Sequence, residues 1–125
     1  MTIDPRDRPV DEWAAQLSDT EPARRLEAAA ALGRLRRRAW AAVPELAAAL
    51  KDANLHVRKM AALALGDIGA DSADAVPPLI EALRDPEEAV RRRVAVALRE
   101  IAVAAPEVAP QVDAALAPLA PPAAA

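Results

Sequence analysis

A 33-residue period runs through this chain and restricts it to one kind of architecture. Residues 43–68 read VPELAAALKDANLHVRKMAALALGDI, and residues 76–101 read VPPLIEALRDPEEAVRRRVAVALREI; the two align without a gap. Val43, Leu46, Leu50, Asp52, Val57, Arg58, Ala62, Leu65 and Ile68 fall on Val76, Leu79, Leu83, Asp85, Val90, Arg91, Ala95, Leu98 and Ile101. One period earlier, Val10, Trp13, Leu17, Asp19, Arg25, Ala28, Ala29, Leu32 and Leu35 occupy the same columns. One period later, Val112 and Leu116 begin a further copy. Self-similarity at this period marks stacked units, each too small to bury its own apolar face.

Each copy carries two helical patterns. Positions 43, 46 and 50 recur at i, i+3, i+7, and positions 57, 61, 65 and 68 at i, i+4, i+8, i+11, so each set lies on one helix face. A polar break with Asp19, Asp52 or Asp85 separates them. Asp85, Pro86 and Glu88 read as an N-cap, a first-turn proline and the acid of a capping box. Pro44, Pro77 and Pro78 sit in first turns, where the missing N–H costs little. The expected fold is therefore all-α, an α-α superhelix of about three helical-hairpin repeats plus a C-terminal half repeat. The expected divisions are a tail at 1–8, repeats at about 9–40, 41–73 and 74–106, a half repeat at 107–117, and a Pro/Ala-rich tail at 118–125.

Composition agrees with helices. Hydrophobic residues make up 54% of the chain but aromatics only 2%, so alanine and leucine dominate. With no cysteine, disulfides and thiolate chemistry are excluded, and a cytoplasmic location is expected. No run of about 20 apolar residues is present, so no spanning helix is expected, and the N-terminus lacks a signal-like apolar core. The net charge of −3 gives no sign of a nucleic-acid or membrane partner.

The pattern VPxLxxAL, then Asp, then VR, then AAxALGxI resembles the HEAT repeat, in the short form common in bacterial HEAT-like proteins, over about residues 9–117. The ankyrin TPLH signature is missing, and the aromatic positions of tetratricopeptide repeats have no counterpart. The resemblance implies a right-handed superhelix of helix pairs, first helices convex and second helices concave. It also implies that Asp19, Asp52 and Asp85 with Arg25, Arg58 and Arg91 form a ladder between repeats. The first copy departs from the pattern, with Arg24 at the Val57 column and Arg36 at the Gly69 column. It is expected to act as a cap whose second helix runs on to Trp40, with Trp40 packed at the repeat junction and Trp13 in the core.

Candidates for chemistry are few. His56 is the only histidine and has no motif partner, which favours a solvated side chain over a general base. No HExxH pair or phosphate-cradling glycine loop occurs, so no catalytic residue, metal or cofactor is assigned. The HEAT-like enzymes that hydroxylate modified lysine carry His–Glu metal ligands, and no such pair stands here. Binding is the better reading. On the second helices, outside the core columns, Leu26, Ala30, Lys59, Met60, Leu63, Arg92, Arg93 and Val96 form an apolar ridge rimmed by charge. The alternative for these residues is partial burial between neighbouring helices. The expected function is a non-catalytic protein-interaction scaffold, with self-association through the C-terminal end as a further option. Nucleic-acid binding through Arg34, Arg36, Arg37, Arg38 and Arg91 to Arg93 is the alternative, disfavoured by nearby acids. An accessory subunit or lyase-like HEAT protein is the second alternative, on family analogy alone.

Overall fold

The computed structural model describes residues 7–119; residues 1–6 and 120–125, most of the two expected tails, lie outside it. Seven α-helices follow one another: α1 (Val10–Gln16), α2 (Pro22–Leu35), α3 (Val43–Ala49), α4 (Leu55–Ile68), α5 (Val76–Ala82), α6 (Glu88–Ala104) and α7 (Ala109–Leu116). The described residues include no strand. The short helices begin at 10, 43, 76 and 109 and the long ones at 22, 55 and 88, the 33-residue period of the sequence.

The period becomes two layers. The long helices pack side by side, α2 on α4 and α4 on α6, in the most extensive interfaces of the molecule. The short helices lie across them, α1 on α2, α3 on α4, and α5 on α6, with α7 against α6 and α5. Two of the repeated leucine columns are fully buried, and a third is buried at Leu17 and Leu50 but only half-buried at Leu83 and Leu116. Leu32, Leu65 and Leu98 are fully buried, as are Leu46 and Leu79, and Val112 extends that second column into α7. Burying such a side chain contributes roughly 1.5–3 kcal/mol. Trp13 is buried as expected. Arg24, in the Val57 column, is exposed and pairs with Asp19 at 3.5 Å.

The long helices approach closely because their shared seam is built from glycine and alanine. A Cβ at Gly33 would lie 3.3 Å from the Cα and Cβ of Ala64, and one at Gly66 would lie 3.2 Å from the Cα of Ala97. Pro44, Pro77 and Pro78 stand at the first positions of α3 and α5, as expected.

Four expectations fail. Asp85 is not an N-cap: like Asp19 and Asp52 it lies three residues ahead of a long helix, and the three carboxylates accept the N–H of Glu87, Glu21 and Asn54 at 2.9 Å. Pro86 is therefore not a first-turn proline and Glu88 closes no capping box, because α6 starts at Glu88 with Glu87 at the cap position and no side chain capping it. Asn54 is the residue that caps α4, accepting from the N–H groups of His56 and Val57. The second helix of the first copy does not run on to Trp40. It stops at Leu35, because Arg36 turns to φ 51°, and a 3₁₀ segment (Arg36–Ala42) follows. Trp40 is not packed at the junction but 63% exposed, since the 3₁₀ segment buries Ala39 and Ala42 instead.

Arg36 and Gly69 end α2 and α4 in the same way, at φ 51° and 81°. Only glycine takes that backbone without strain, which for another residue costs on the order of 1–3 kcal/mol. In the third copy the column holds Ala102, and α6 continues to Ala104. Arg36→Gly is therefore expected to stabilise the fold by a net of about 1 kcal/mol after the added chain entropy of glycine, read as a higher melting temperature. A fall in melting temperature would show instead that the Arg36 charge outweighs the strain.

Candidate interaction surface

All eight ridge residues lie on the long-helix layer: Leu26 and Ala30 on α2, Lys59, Met60 and Leu63 on α4, and Arg92, Arg93 and Val96 on α6. They form three columns across the layer, because the 33-residue step places Leu26, Lys59 and Arg92 at one helical position, Met60 and Arg93 at the next, and Ala30, Leu63 and Val96 at a third. Arg92 and Val96 are exposed and the other six are half-buried. Leu26 and Met60 also touch the core, so part of their apolar surface serves packing. In the third column Ala30 and Leu63 are half-buried and Val96 is exposed.

Asp67, half-buried in the last turn of α4, is a charged neighbour of these columns. Burial pushes its carboxyl above the usual value, and the charges of Arg36 and Arg93 offset only part of that rise. Its sequence signal was the column Arg34, Asp67, Glu100, which changes charge from repeat to repeat as a surface column can.

The arginine–aspartate ladder runs along the hairpin loops. Arg25 holds Asp52 with two bonds, Nε to Oδ2 at 2.7 Å and Nη2 to Oδ1 at 3.0 Å. Arg58 holds Asp85 in the same way at 2.8 and 3.2 Å. Each guanidinium is also anchored within its own repeat. Nη1 of Arg25 donates to the carbonyls of Asp19 and Thr20, and Nη1 of Arg58 to those of Asp52 and Ala53. Burial pushes the Asp52 carboxyl up, but the Arg25 hydrogen bond, the Asn54 N–H and the Arg25 and Arg58 charges together hold it below its usual value. The same bond raises Arg25 against the opposing effect of burial. A groove of about 440 Å³ opens beside Arg58 and Asp85, whose charges already satisfy each other.

The remaining candidates stand apart from one another. His56 is exposed in the first turn of α4. Arg36, Arg37 and Arg38 are exposed on the 3₁₀ segment, Arg91 is anchored to the carbonyls of Asp85 and Pro86, and Arg92 pairs with Glu88 at 2.8 Å. Among the described residues no group of three or more His, Cys, Asp or Glu could hold a metal ion. No described helix is long and apolar enough to cross a membrane.

The stacked hairpins, the glycine seam and the ladder coincide with a family pattern: the family model for HEAT repeats matches residues 10–99. This chain belongs to the HEAT-repeat family. An engineered protein of known crystal structure is similar to it, with a TM-score of 0.73 and 25% identity over 85% of this chain. The HEAT-repeat chain spans 50% of that engineered protein's length. No curated protein matches it. HEAT repeats are commonly protein-interaction scaffolds, and the family is generally non-catalytic.

Proposed function

We propose that this chain is a non-catalytic scaffold of the cytoplasm that holds another protein on the concave face of its solenoid. The site is formed by Leu26, Ala30, Lys59, Met60, Leu63, Arg92, Arg93 and Val96. One observation carries the reading: three side-by-side helices present apolar side chains in register, half-buried except for the exposed Val96, and bordered by charge. Such a surface suits a protein partner whose apolar residues fill the columns while its polar rim meets the arginines and Asp67. Met60 adds a side chain that adapts its shape to what it contacts.

The test is partner capture followed by mass spectrometry, comparing the unaltered chain with a Leu63→Glu/Val96→Glu variant. Neither residue is fully buried, so the variant is expected to keep its helicity and melting temperature. Recovery of the specific partner is expected to fall at least tenfold. Undiminished recovery with the variant would move the site off this face.

A further inference from the structure

Among the described residues, the third rung of the ladder stands without a carboxylate. Arg91 is anchored like the two arginines before it, with Nη1 donating to the carbonyls of Asp85 at 2.7 Å and Pro86 at 3.1 Å. In the two earlier rungs this anchoring leaves Nε and Nη2 facing the aspartate of the next repeat. For Arg91 the matching position is Pro118, and among the described residues no carboxylate meets its Nε or Nη2. The guanidinium is thus pre-oriented for a bidentate acid that the described residues do not supply.

The surface around it is the open half of a helix seam. Ala29 and Ala62 are fully buried by the next long helix, whereas Ala95, one period on, is partly exposed. Gly33 and Gly66 face the next long helix in the same seam, and their column ends in the exposed Arg99. Arg91, Ala95 and Arg99 stand at i, i+4 and i+8 on α6, along a cleft of about 490 Å³ bordered by Leu83 and Leu119. Inside the molecule, the position that faces the Gly33 column carries an acid. Asp67 Oδ2 lies 3.5 Å from the Cβ position of Gly33, and Glu100 reaches toward that of Gly66. A helix stacked on α6 as α4 stacks on α2 would therefore bring one carboxylate to Arg91 and a second, fifteen residues on, to Arg99.

We infer that the open face of α6 docks a partner helix that carries an aspartate in the turn before its first residue and a second acid in its last turn. The helix lies parallel to α6, its small residues against Ala95 and its two acids on Arg91 and Arg99. Arg92 and Val96 of the proposed interaction site also line this cleft, whereas Leu26, Met60 and Leu63 do not. Arg91 and Arg99 lie outside that site, so the inference is tested through them and stands without the scaffold reading.

The chain's own α4 segment has this chemistry and serves as the probe. A fluorescent peptide of residues 52–69, stapled between positions 62 and 66 on the side opposite Ala64 and Asp67 to hold it helical, is titrated with the full chain and followed by anisotropy. Saturable binding is expected, weakened at least tenfold by Arg91→Ala/Arg99→Ala in the chain and to a similar degree by Asp52→Asn/Asp67→Asn in the peptide. Arg91→Lys, which keeps the charge but not the fork, is expected to lose most of the affinity that Arg91→Ala loses. Absence of binding, or equal affinity for the arginine variants with unchanged melting temperature, overturns the inference. A dimer of the unaltered chain that dissociates on Arg91→Ala also overturns it, by making a second copy the occupant.

Discussion

Leu65→Ala is expected to lower the free energy of unfolding by about 3 kcal/mol, a large share of the roughly 5–15 kcal/mol typical of a domain. Leu65 is fully buried on α4, the middle long helix, in the column it shares with Leu32 and Leu98. Truncation removes its transfer free energy and leaves a cavity that the flanking helices, already close at the Gly33 and Gly66 seams, have little room to collapse into. In a stacked array each repeat leans on its neighbours, so a defect in the middle weakens two interfaces at once. Leu116→Ala on α7, half-buried at the end of the array, is expected to cost under about 1 kcal/mol. Urea unfolding of the two variants checks this. Equal losses for the two, with unchanged denaturant slope, would mean that the column is not a shared core.

The second large effect belongs to the ladder. Asp85 accepts two bonds from Arg58 and one from the Glu87 N–H, and the Asp85 and Arg58 side chains are only 6% and 14% exposed. Asp85→Ala leaves Nε and Nη2 of Arg58 without their carboxylate, and a loss of about 2–3 kcal/mol is expected, at the upper end for hydrogen bonds to charged groups. Asp85→Asn keeps an acceptor for Glu87 N–H and is expected to lose less. The companion rung at Asp52 adds a pH signature. Its carboxyl is held below the usual 3.8, so its contribution is complete above that value and lost as pH falls through the lower, folded one. Melting temperature measured from pH 6 downward is therefore expected to fall more steeply below about pH 4 in the unaltered chain than in Asp52→Asn. Parallel acid limbs for the two proteins would remove the rung from the account of stability.

Much of this protein was legible before any coordinates. Apolar residues at helical spacing choose a face, and a 33-residue repeat of such faces leaves stacking as the way to bury them. The core columns, the first-turn prolines of α3 and α5 and the burial of Trp13 follow from that local chemistry. The pairing of Arg25 with Asp52 and of Arg58 with Asp85 agrees with the ladder that the family resemblance implied. The ridge residues were legible as positions on one layer, but not their burial, because how much of Leu26 or Met60 stays in water depends on the distance between helices.

What only the tertiary structure decided lies at the joints between repeats. Asp85 looks like a cap in one dimension; in three it is held by an arginine 27 residues earlier, a bond that exists only once the repeats have stacked. Arg36 takes a glycine-like turn against its own preference, because the first repeat must bend back where the second does. That bend leaves Trp40 in solvent. The sequence determined which face of each helix avoids water, since side-chain spacing is local. The stacking determined which charged groups meet and which remain open, since those contacts depend on how one repeat is placed against the next.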